Sequence, residues 1–121
     1  MRINNLAAIL LGAVLAMTWP LVSSAHVHLH ESIPESGASL TEAPQRVEVW
    51  YSGKIDAEWS KIEVTDSSGQ RVDTGKVLQG ESAKHLIINL KPLIPGDYRV
   101  SLNVIAGDGH RIKDVFSFSI K

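Results

Sequence analysis

Cysteine is absent from the 121-residue sequence, and its two methionines, Met1 and Met17, both lie near its start. Without thiols the chain cannot form disulfides, and it cannot supply the thiolates that bind Cu(I) or structural zinc. A metal site in the rest of the chain must therefore be built from nitrogen and oxygen donors.

An excess of charge of one sign is also lacking, since 12 basic residues are balanced by 13 acidic ones. The sequence has no basic patch and no interleaving of basic with aromatic residues, which argues against nucleic acid as a partner. It also has no glycine-rich phosphate loop and no Ser-His-Asp arrangement with supporting context. These absences argue against an enzyme that binds nucleotide phosphates and against a Ser-His-Asp hydrolase.

The N-terminal segment has one charged side chain, Arg2, followed by an apolar stretch over residues 6–22. This stretch approaches the ~17 residues that can span a bilayer, so an uncleaved membrane anchor is one interpretation. Pro20 near its end and the small residues that follow favour a signal peptide, residues 1–25, cleaved after Ala25. The remainder is then an exported domain that is large enough to bury one core of its own.

Beyond His30, short runs of alternating apolar and polar residues are separated by turn residues, and no helical periodicity is sustained. The alternation predicts strands over residues 46–51, 61–65, 71–77, 85–90, 98–105 and 115–120. With a first strand at the histidines, about seven antiparallel strands follow one another at about ten-residue spacing. We therefore expect an all-β fold, an immunoglobulin-like antiparallel β-sandwich or Greek-key barrel.

A Pro-Gly turn at residues 95–96 leads to Tyr98 at the start of a late strand. This arrangement resembles the tyrosine corner of immunoglobulin-like sandwiches, in which the phenol hydrogen-bonds to the backbone a few residues upstream. Tyr98 is therefore interpreted as structural and not as a phenol near a metal site. The loop at the far end of its strand, residues 106–111, lies roughly 30 Å away.

Three histidines, His26, His28 and His30, alternate at the start of the predicted domain. In a strand they would share one face, which is either a solvated face or a metal-binding one. After cleavage at Ala25, His26 would offer its α-amine and its ring as a chelate for one metal ion.

A second candidate group lies in the loop of residues 106–111, where a Gly-Asp-Gly-His run contains Asp108 and His110. The glycines allow a tight turn that aims both side chains inward. In such a sandwich the loop between the last two strands lies at the end where the first strand starts. We therefore expect Asp108 and His110 to lie close to His26.

Amine, imidazole and carboxylate donors suit tetragonal Cu(II), which also stands at the top of the affinity order for divalent first-row ions. The predicted metal ligands are His26, His28, Asp108 and His110. A local alternative stays open, in which the amine and His28 bind Cu(II) or Ni(II) through the deprotonated amides between them. A site of that kind would survive unfolding of the chain.

Several other polar and aromatic residues are placed outside the site. His85 opens a strand and is interpreted as a surface or edge residue. Trp50 and Trp59 are interpreted as core-filling residues, although a lone exposed tryptophan would mark an interface. Asp73 lies beside turn signals and is interpreted as part of a solvated face.

The features of residues 26–121 resemble the CopC-type periplasmic copper-binding family. The motifs that carry the resemblance are the histidine after the signal peptide, the run Ser32-Ile33-Pro34-Glu35-Ser36-Gly37, the pattern Leu93-x-Pro-Gly-x-Tyr98, and Asp108-Gly-His110 before a final Phe-x-Phe strand. The resemblance implies an immunoglobulin-like fold that binds Cu(II) through His26, Asp108 and His110. His28 matches a further histidine that some members carry.

The chain departs from the family pattern at three places. Members with a second, Cu(I) site use a methionine-rich loop that is missing here, so one Cu(II) site is expected. The family often has Phe-Ser-Glu where this chain has Tyr51-Ser52-Gly53, which removes a carboxylate that can lie near the metal. A tryptophan common in the penultimate strand is replaced by Leu102.

The resemblance implies a soluble, monomeric and non-enzymatic carrier or buffer of Cu(II) in the periplasm, acting in copper homeostasis or resistance. An inner-membrane copper transporter is its candidate partner. Two alternatives stay open. An N-terminal histidine brace also occurs in copper-dependent polysaccharide monooxygenases of similar fold, although residues 26–121 leave little room for their substrate surface. A plain β-sandwich interaction module would carry its histidines incidentally.

Overall fold

The computed structural model describes residues 26–121, and the predicted signal peptide with its cleavage point lies outside the described residues. Eight strands follow one another: β1 (Leu29–Ile33), β2 (Ser39–Leu40), β3 (Arg46–Tyr51), β4 (Ile55–Asp66), β5 (Asp73–Gln79), β6 (His85–Leu90), β7 (Gly96–Ala106) and β8 (Arg111–Ile120). None of the described residues belongs to a helix with the length and apolar character that crossing a membrane requires. The predicted all-β fold is confirmed, with eight strands instead of about seven.

The strands form two four-stranded sheets, in the orders β1-β3-β6-β5 and β2-β8-β7-β4. All pairs are antiparallel except the short parallel pair β2 and β8. Apolar residues at alternate positions of each long strand face the space between the sheets, as a period of two requires. The most completely buried of them are Val47, Val49, Ile62, Val64, Leu86, Ile88, Val100 and Val104.

The first strand begins later than the histidine pattern predicts. His26 and His28 precede β1, which starts at Leu29, and the pairing of β1 with β3 shifts register between Leu29 and Glu31. A bulge of this kind leaves one residue unpaired and changes the direction of the strand. The three histidines therefore do not form one continuous strand face.

The predicted tyrosine corner is confirmed at the end of the sandwich where β7 begins. The hydroxyl of Tyr98 donates to the carbonyl oxygen of Ile94 at 2.5 Å and accepts from the Ile94 N–H at 3.2 Å. The ring is buried and stacks on Phe118 with 5.4 Å between the ring centroids. Both hydrogen-bonding functions of this hydroxyl are therefore satisfied.

Asp73 is buried, with 4% of its surface exposed, so the interpretation as a solvated residue is wrong. Its carboxylate accepts from the Arg71 guanidinium at 2.7 and 3.1 Å and from the N–H groups of Val64 and Gly75 at 2.8 Å. Because Val64 lies in β4 and Asp73 in β5, this carboxylate joins an edge strand of one sheet to an edge strand of the other.

Trp59 does not fill the core, since 69% of its surface is exposed. It lies in β4 where the pairing with β7 is interrupted between Asp56 and Lys61. The Asp56 carboxylate accepts from the N–H groups of Glu58 and Trp59, and so supports the irregular segment. The interruption turns Trp59 outward at the edge of the sheet.

Candidate metal site

The segment that carries the first two histidines is fixed to the turn after β3. The His28 N–H donates to Ser52 Oγ at 2.9 Å, and the Ser52 N–H donates to the His28 carbonyl oxygen at 2.8 Å. Between the histidines, Val27 is half-buried and packs against the core. A Cβ at Gly53 would lie 2.7 Å from Val27 Cγ2, so this close approach requires glycine.

The loop between β7 and β8 is a tight turn fixed by its own backbone. The Ala106 N–H donates to the His110 carbonyl at 2.8 Å, and the Gly109 N–H donates to the Ala106 carbonyl at 2.9 Å. Gly109 has a φ of 93°, in the left-handed region that favours glycine. The Gly107 N–H donates to Lys54 O at 2.8 Å, which joins the loop to the turn that holds His28.

These two segments meet at one end of the sandwich, around an open cavity of about 320 Å³. The cavity is lined by His26, Val27, Ala106, Asp108, His110, Arg111, Ile112 and Lys113. The structure therefore places His26, Asp108 and His110 around one cavity, at the end of the sandwich where the order of the strands predicts them.

Asp108 and His110 form a pair with each other. His110 Nδ1 lies 2.9 Å from Asp108 Oδ2, and the His110 N–H donates to Asp108 Oδ1 at 3.0 Å. The backbone and side-chain hydrogen bonds from His110 hold the pKa of Asp108 below its usual value. The side chains are 58% and 76% exposed, so they face solvent and do not point inward as expected.

Within residues 26–121, no group of three or more His, Asp or Glu side chains is close enough together to hold a metal ion. The structure shows a histidine and a carboxylate–histidine pair around one cavity, and the carboxylate is already paired with the second histidine. A metal ion at this site would need additional donors, such as an α-amine, and a rearrangement of the exposed side chains.

His28 lies beside the cavity but does not line it. Its Nδ1 lies 3.2 Å from Ser52 Oγ and 3.3 Å from the His26 carbonyl oxygen, so the ring folds back over the chain. His30 lies on the bulged part of β1 in a separate depression with Leu29 and Glu31, away from the β7–β8 loop. Of the three alternating histidines, His26 and His28 are near the candidate site and His30 is not.

Two polar residues beneath this end of the sandwich, Tyr51 and Asp114, were not assigned to the site from the sequence. Tyr51 is 2% exposed, and its hydroxyl has no hydrogen-bond partner among the described residues. Asp114 is half-buried, and its Oδ2 is likewise buried without a partner. Burial, and then the charge of Asp114, raises the pKa of Tyr51, while burial raises the pKa of Asp114 and the nearby His28 partly offsets that rise.

A sequence signal for Asp114 exists. In β8, the residues at the same alternate positions as Asp114 are Ile112, Phe116, Phe118 and Ile120, all of which face the core. A carboxylate at an inward position of such a strand contradicts the alternation, and buried charges usually have a partner or a function. Asp114 could have been identified as a candidate from that exception alone.

His85 is buried, with 3% of its surface exposed, so its interpretation as a surface residue is wrong. Its Nε2 lies 3.0 Å from Glu48 Oε1, its Nδ1 accepts from the Glu81 N–H at 3.0 Å, and its ring stacks on Trp50 at 4.3 Å. Both ring nitrogens are occupied within the fold. His85 is therefore structural, and its placement outside the candidate site is unchanged.

The CopC domain model matches residues 29–121, which is most of the chain. Copper transport protein CutJ of Bacillus subtilis is 34% identical over 103 residues, covering 84% of this chain but only 19% of CutJ. Protein YobA of Escherichia coli K12 is 32% identical over 99 residues, which is 80% of each chain. The crystal structure of PcoC, a methionine-rich copper resistance protein from Escherichia coli, superposes with a TM-score of 0.71 at 27% identity, covering 80% of this chain and all of PcoC.

Proposed function

The chain belongs to the CopC domain family, and we propose that its exported domain is a periplasmic Cu(II)-binding protein that carries or buffers copper. One Cu(II) would be bound by the amine and ring of His26, by Asp108 and His110, and by His28. The observation that supports this most directly is the common cavity of His26, Asp108 and His110. His26 is distant in sequence from Asp108 and His110, and all three line that cavity.

The donors at the cavity are nitrogen and oxygen atoms, the set that suits tetragonal Cu(II). His110 supports this proposal further, because its Nδ1 is paired with Asp108 and its Nε2 is left for a metal. A ligand histidine commonly has a carboxylate on its second nitrogen, which orients the ring and raises its basicity. Asp108 can act in this way from its place on Nδ1. To supply a carboxylate oxygen to the same ion, it would have to leave that hydrogen bond, because the two ring nitrogens point in opposite directions.

The names of the relatives favour copper over other metals. CutJ is named for copper transport and PcoC for copper resistance. PcoC is described as methionine-rich, whereas this chain has only Met1 and Met17, both within the segment that we propose is removed. We therefore propose a single site without sulfur ligands.

Periplasmic location and signal peptide cleavage after Ala25 are part of the same proposal, because only cleavage there makes the amine of His26 a ligand. The chain spans about a fifth of the length of CutJ. Delivery of copper to an inner-membrane copper transporter is part of the proposal. The domain would act as a monomer, without catalysis.

The test is a Cu(II) titration followed by electron paramagnetic resonance on protein that begins at His26. A matched protein has one glycine before His26, and each is compared with its His110→Ala variant. We expect the added glycine and His110→Ala each to weaken Cu(II) binding strongly and to change the spectrum. His30→Ala is the control, since His30 lies outside the cavity, and should leave binding unchanged.

Two results would contradict the folded site. If His110→Ala has no effect, the ion is held locally by residues 26–28, and binding should then persist in denaturant. If the added glycine has no effect, the amine of His26 is not a ligand. Absence of Cu(II) binding at neutral pH in all variants would reject the proposed function.

A further inference from the structure

Beside the candidate site, three polar residues from three segments come together at the open end of the sandwich. Tyr51 ends β3, and His28 is hydrogen-bonded to the next residue, Ser52, through both its N–H and its carbonyl oxygen. Asp114 enters from β8 in the other sheet, where its side chain faces inward. Val27 and Lys113, the residues that precede His28 and Asp114, line the same cavity, so His28 and Asp114 lie at one end of the sandwich. Besides burial, the charge of Asp114 raises the pKa of Tyr51, and that of His28 partly offsets the rise that burial causes in the pKa of Asp114.

Two oxygen atoms of this group have unused hydrogen-bonding capacity. Asp114 Oδ2 and the Tyr51 hydroxyl are buried, and neither has a partner among residues 26–121. A buried polar group without a partner costs about 1–3 kcal/mol, so each such group calls for an explanation. In addition, the two atoms do not bond to each other, although one can donate and the other can accept.

The ring of His28 is oriented so that its two nitrogens face different surroundings. Nδ1 lies near Ser52 Oγ and the His26 carbonyl, on the side of the proposed copper ligands. Nε2 has no hydrogen bond with the described residues. His28 is exposed, so its ring can rotate without disturbing the core.

Given the copper site proposed above, we propose that Asp114 is the positioning residue of His28. When His28 binds Cu(II) through Nδ1, its Nε2–H donates to Asp114, and the Tyr51 hydroxyl donates to the same carboxylate. Each buried oxygen then has a partner. The carboxylate fixes the ring and raises the basicity of Nδ1, as carboxylates do behind ligand histidines in metal sites.

The test is a double-mutant cycle in which Cu(II) affinity is measured by competition with a chelator. It compares the unchanged protein, Asp114→Asn, His28→Gln and the variant that carries both substitutions. We expect Asp114→Asn to weaken binding by about 10–100-fold when His28 is present, the usual effect of losing such a partner. In the His28→Gln background the same substitution should change affinity by less than about threefold. Asp97→Asn, which removes an exposed carboxylate at the other end of β7, is the charge control and should have no effect.

A purely structural role of Asp114 would not produce this dependence on His28. Equal losses in both backgrounds would mean that Asp114 acts on the ion or on the fold directly, and would overturn the proposal. No loss in either background would overturn it as well. Electron paramagnetic resonance should show a change in nitrogen coupling for Asp114→Asn that matches the change for His28→Gln.

A second measurement needs no copper. In the metal-free protein we expect Asp114→Asn to shift the ¹⁵N resonances of the His28 ring, and to leave those of His30 and His110 in place. Tyr51→Phe should give a smaller shift of the same ring. If no protein variant binds copper, the proposed function fails. Unchanged His28 resonances would mean that the charge of Asp114 does not act on this ring, and would overturn the positioning role even if copper binds.

Discussion

The two ends of the sandwich use the same residue types in opposite ways. At the end where β7 begins, Tyr98 donates to and accepts from Ile94, and Asp73 accepts four hydrogen bonds nearby. At the other end, the Tyr51 hydroxyl and Asp114 Oδ2 are buried without a partner. A tyrosine and an aspartate are thus fully satisfied at one end and unsatisfied at the other.

This difference indicates that one end of the sandwich stabilises the fold and that the other is suited to binding. Satisfied buried polar groups rigidify a fold, whereas unsatisfied ones reduce its stability unless a ligand or a rearrangement supplies the missing partner. The unsatisfied pair lies at the end that also carries the exposed Asp108–His110 pair and the two histidines His26 and His28. We therefore expect substitutions at the first end to reduce the stability of the metal-free protein, and those at the second to leave it unchanged or to increase it.

The largest loss of stability is expected for Asp73→Ala. It leaves the N–H groups of Val64 and Gly75 without their acceptor and breaks the link between β4 and β5, at a cost of about 2–4 kcal/mol. Urea unfolding followed by circular dichroism measures this difference. Asp97→Ala is the control at an exposed position and should change the free energy of unfolding by less than about 0.5 kcal/mol. A small effect of Asp73→Ala would show that the hydrogen bonds at this end of the sandwich do not stabilise the fold.

Tyr98→Phe is expected to cost about 1–3 kcal/mol, because the Ile94 N–H and carbonyl lose their partner while the ring still fits the core. The matching readout is the thermal midpoint in the absence of metal. Copper affinity should be unchanged, since Tyr98 lies far from the cavity. A parallel loss of affinity would contradict the separation of the two ends.

Asp114→Asn is expected to stabilise the metal-free protein at pH 7 by up to about 1 kcal/mol, while weakening copper binding. Burial raises the pKa of Asp114, so the folded state disfavours its ionised form relative to the unfolded chain. The stability associated with the neutral carboxyl is fully present below the unfolded pKa near 3.8 and is lost as pH rises through the higher folded pKa. The gain from asparagine should therefore disappear below that pH, and urea unfolding at several pH values tests the sign.

The smallest effect is expected for Tyr51→Phe. Its buried hydroxyl makes no hydrogen bond among the described residues, so its removal should leave the free energy of unfolding unchanged or raise it slightly. Chemical denaturation of this variant beside Tyr98→Phe compares the same substitution at both ends. Equal losses for the two tyrosines would mean that the Tyr51 hydroxyl has a partner in solution.

Much of the fold could be predicted from the sequence because β-strands have a period of two. The predicted strands at residues 46–51 and 85–90 coincide with β3 and β6, and the Pro-Gly turn before Tyr98 predicted its structural role. Where local signals were misleading, the cause was tertiary. Asp73 follows turn residues but is buried by its contact with β4, and His85 is buried between Trp50 and Glu48.

The candidate site was predicted in part. Its loop residues Asp108 and His110 carry a local signal, the glycines that make a tight turn, and the order of the strands predicted their approach to His26. The outward direction of their side chains and their pairing with each other could not be predicted, because rotamers depend on the surrounding packing. Their role as copper ligands stays a prediction, as does that of His28.

By itself the sequence determined the residue types available to this protein: alternating apolar residues for a sandwich, and histidine and carboxylate donors without thiols. These properties follow from composition and from a local period, so no three-dimensional contact is needed to recognise them. Only the tertiary structure decided which of these donors meet and which remain unsatisfied. The pairing of β3 with β1 places Tyr51 near His28, and the opposite sheet contributes Asp114, because the packing of two sheets makes neighbours of residues that are far apart in the chain.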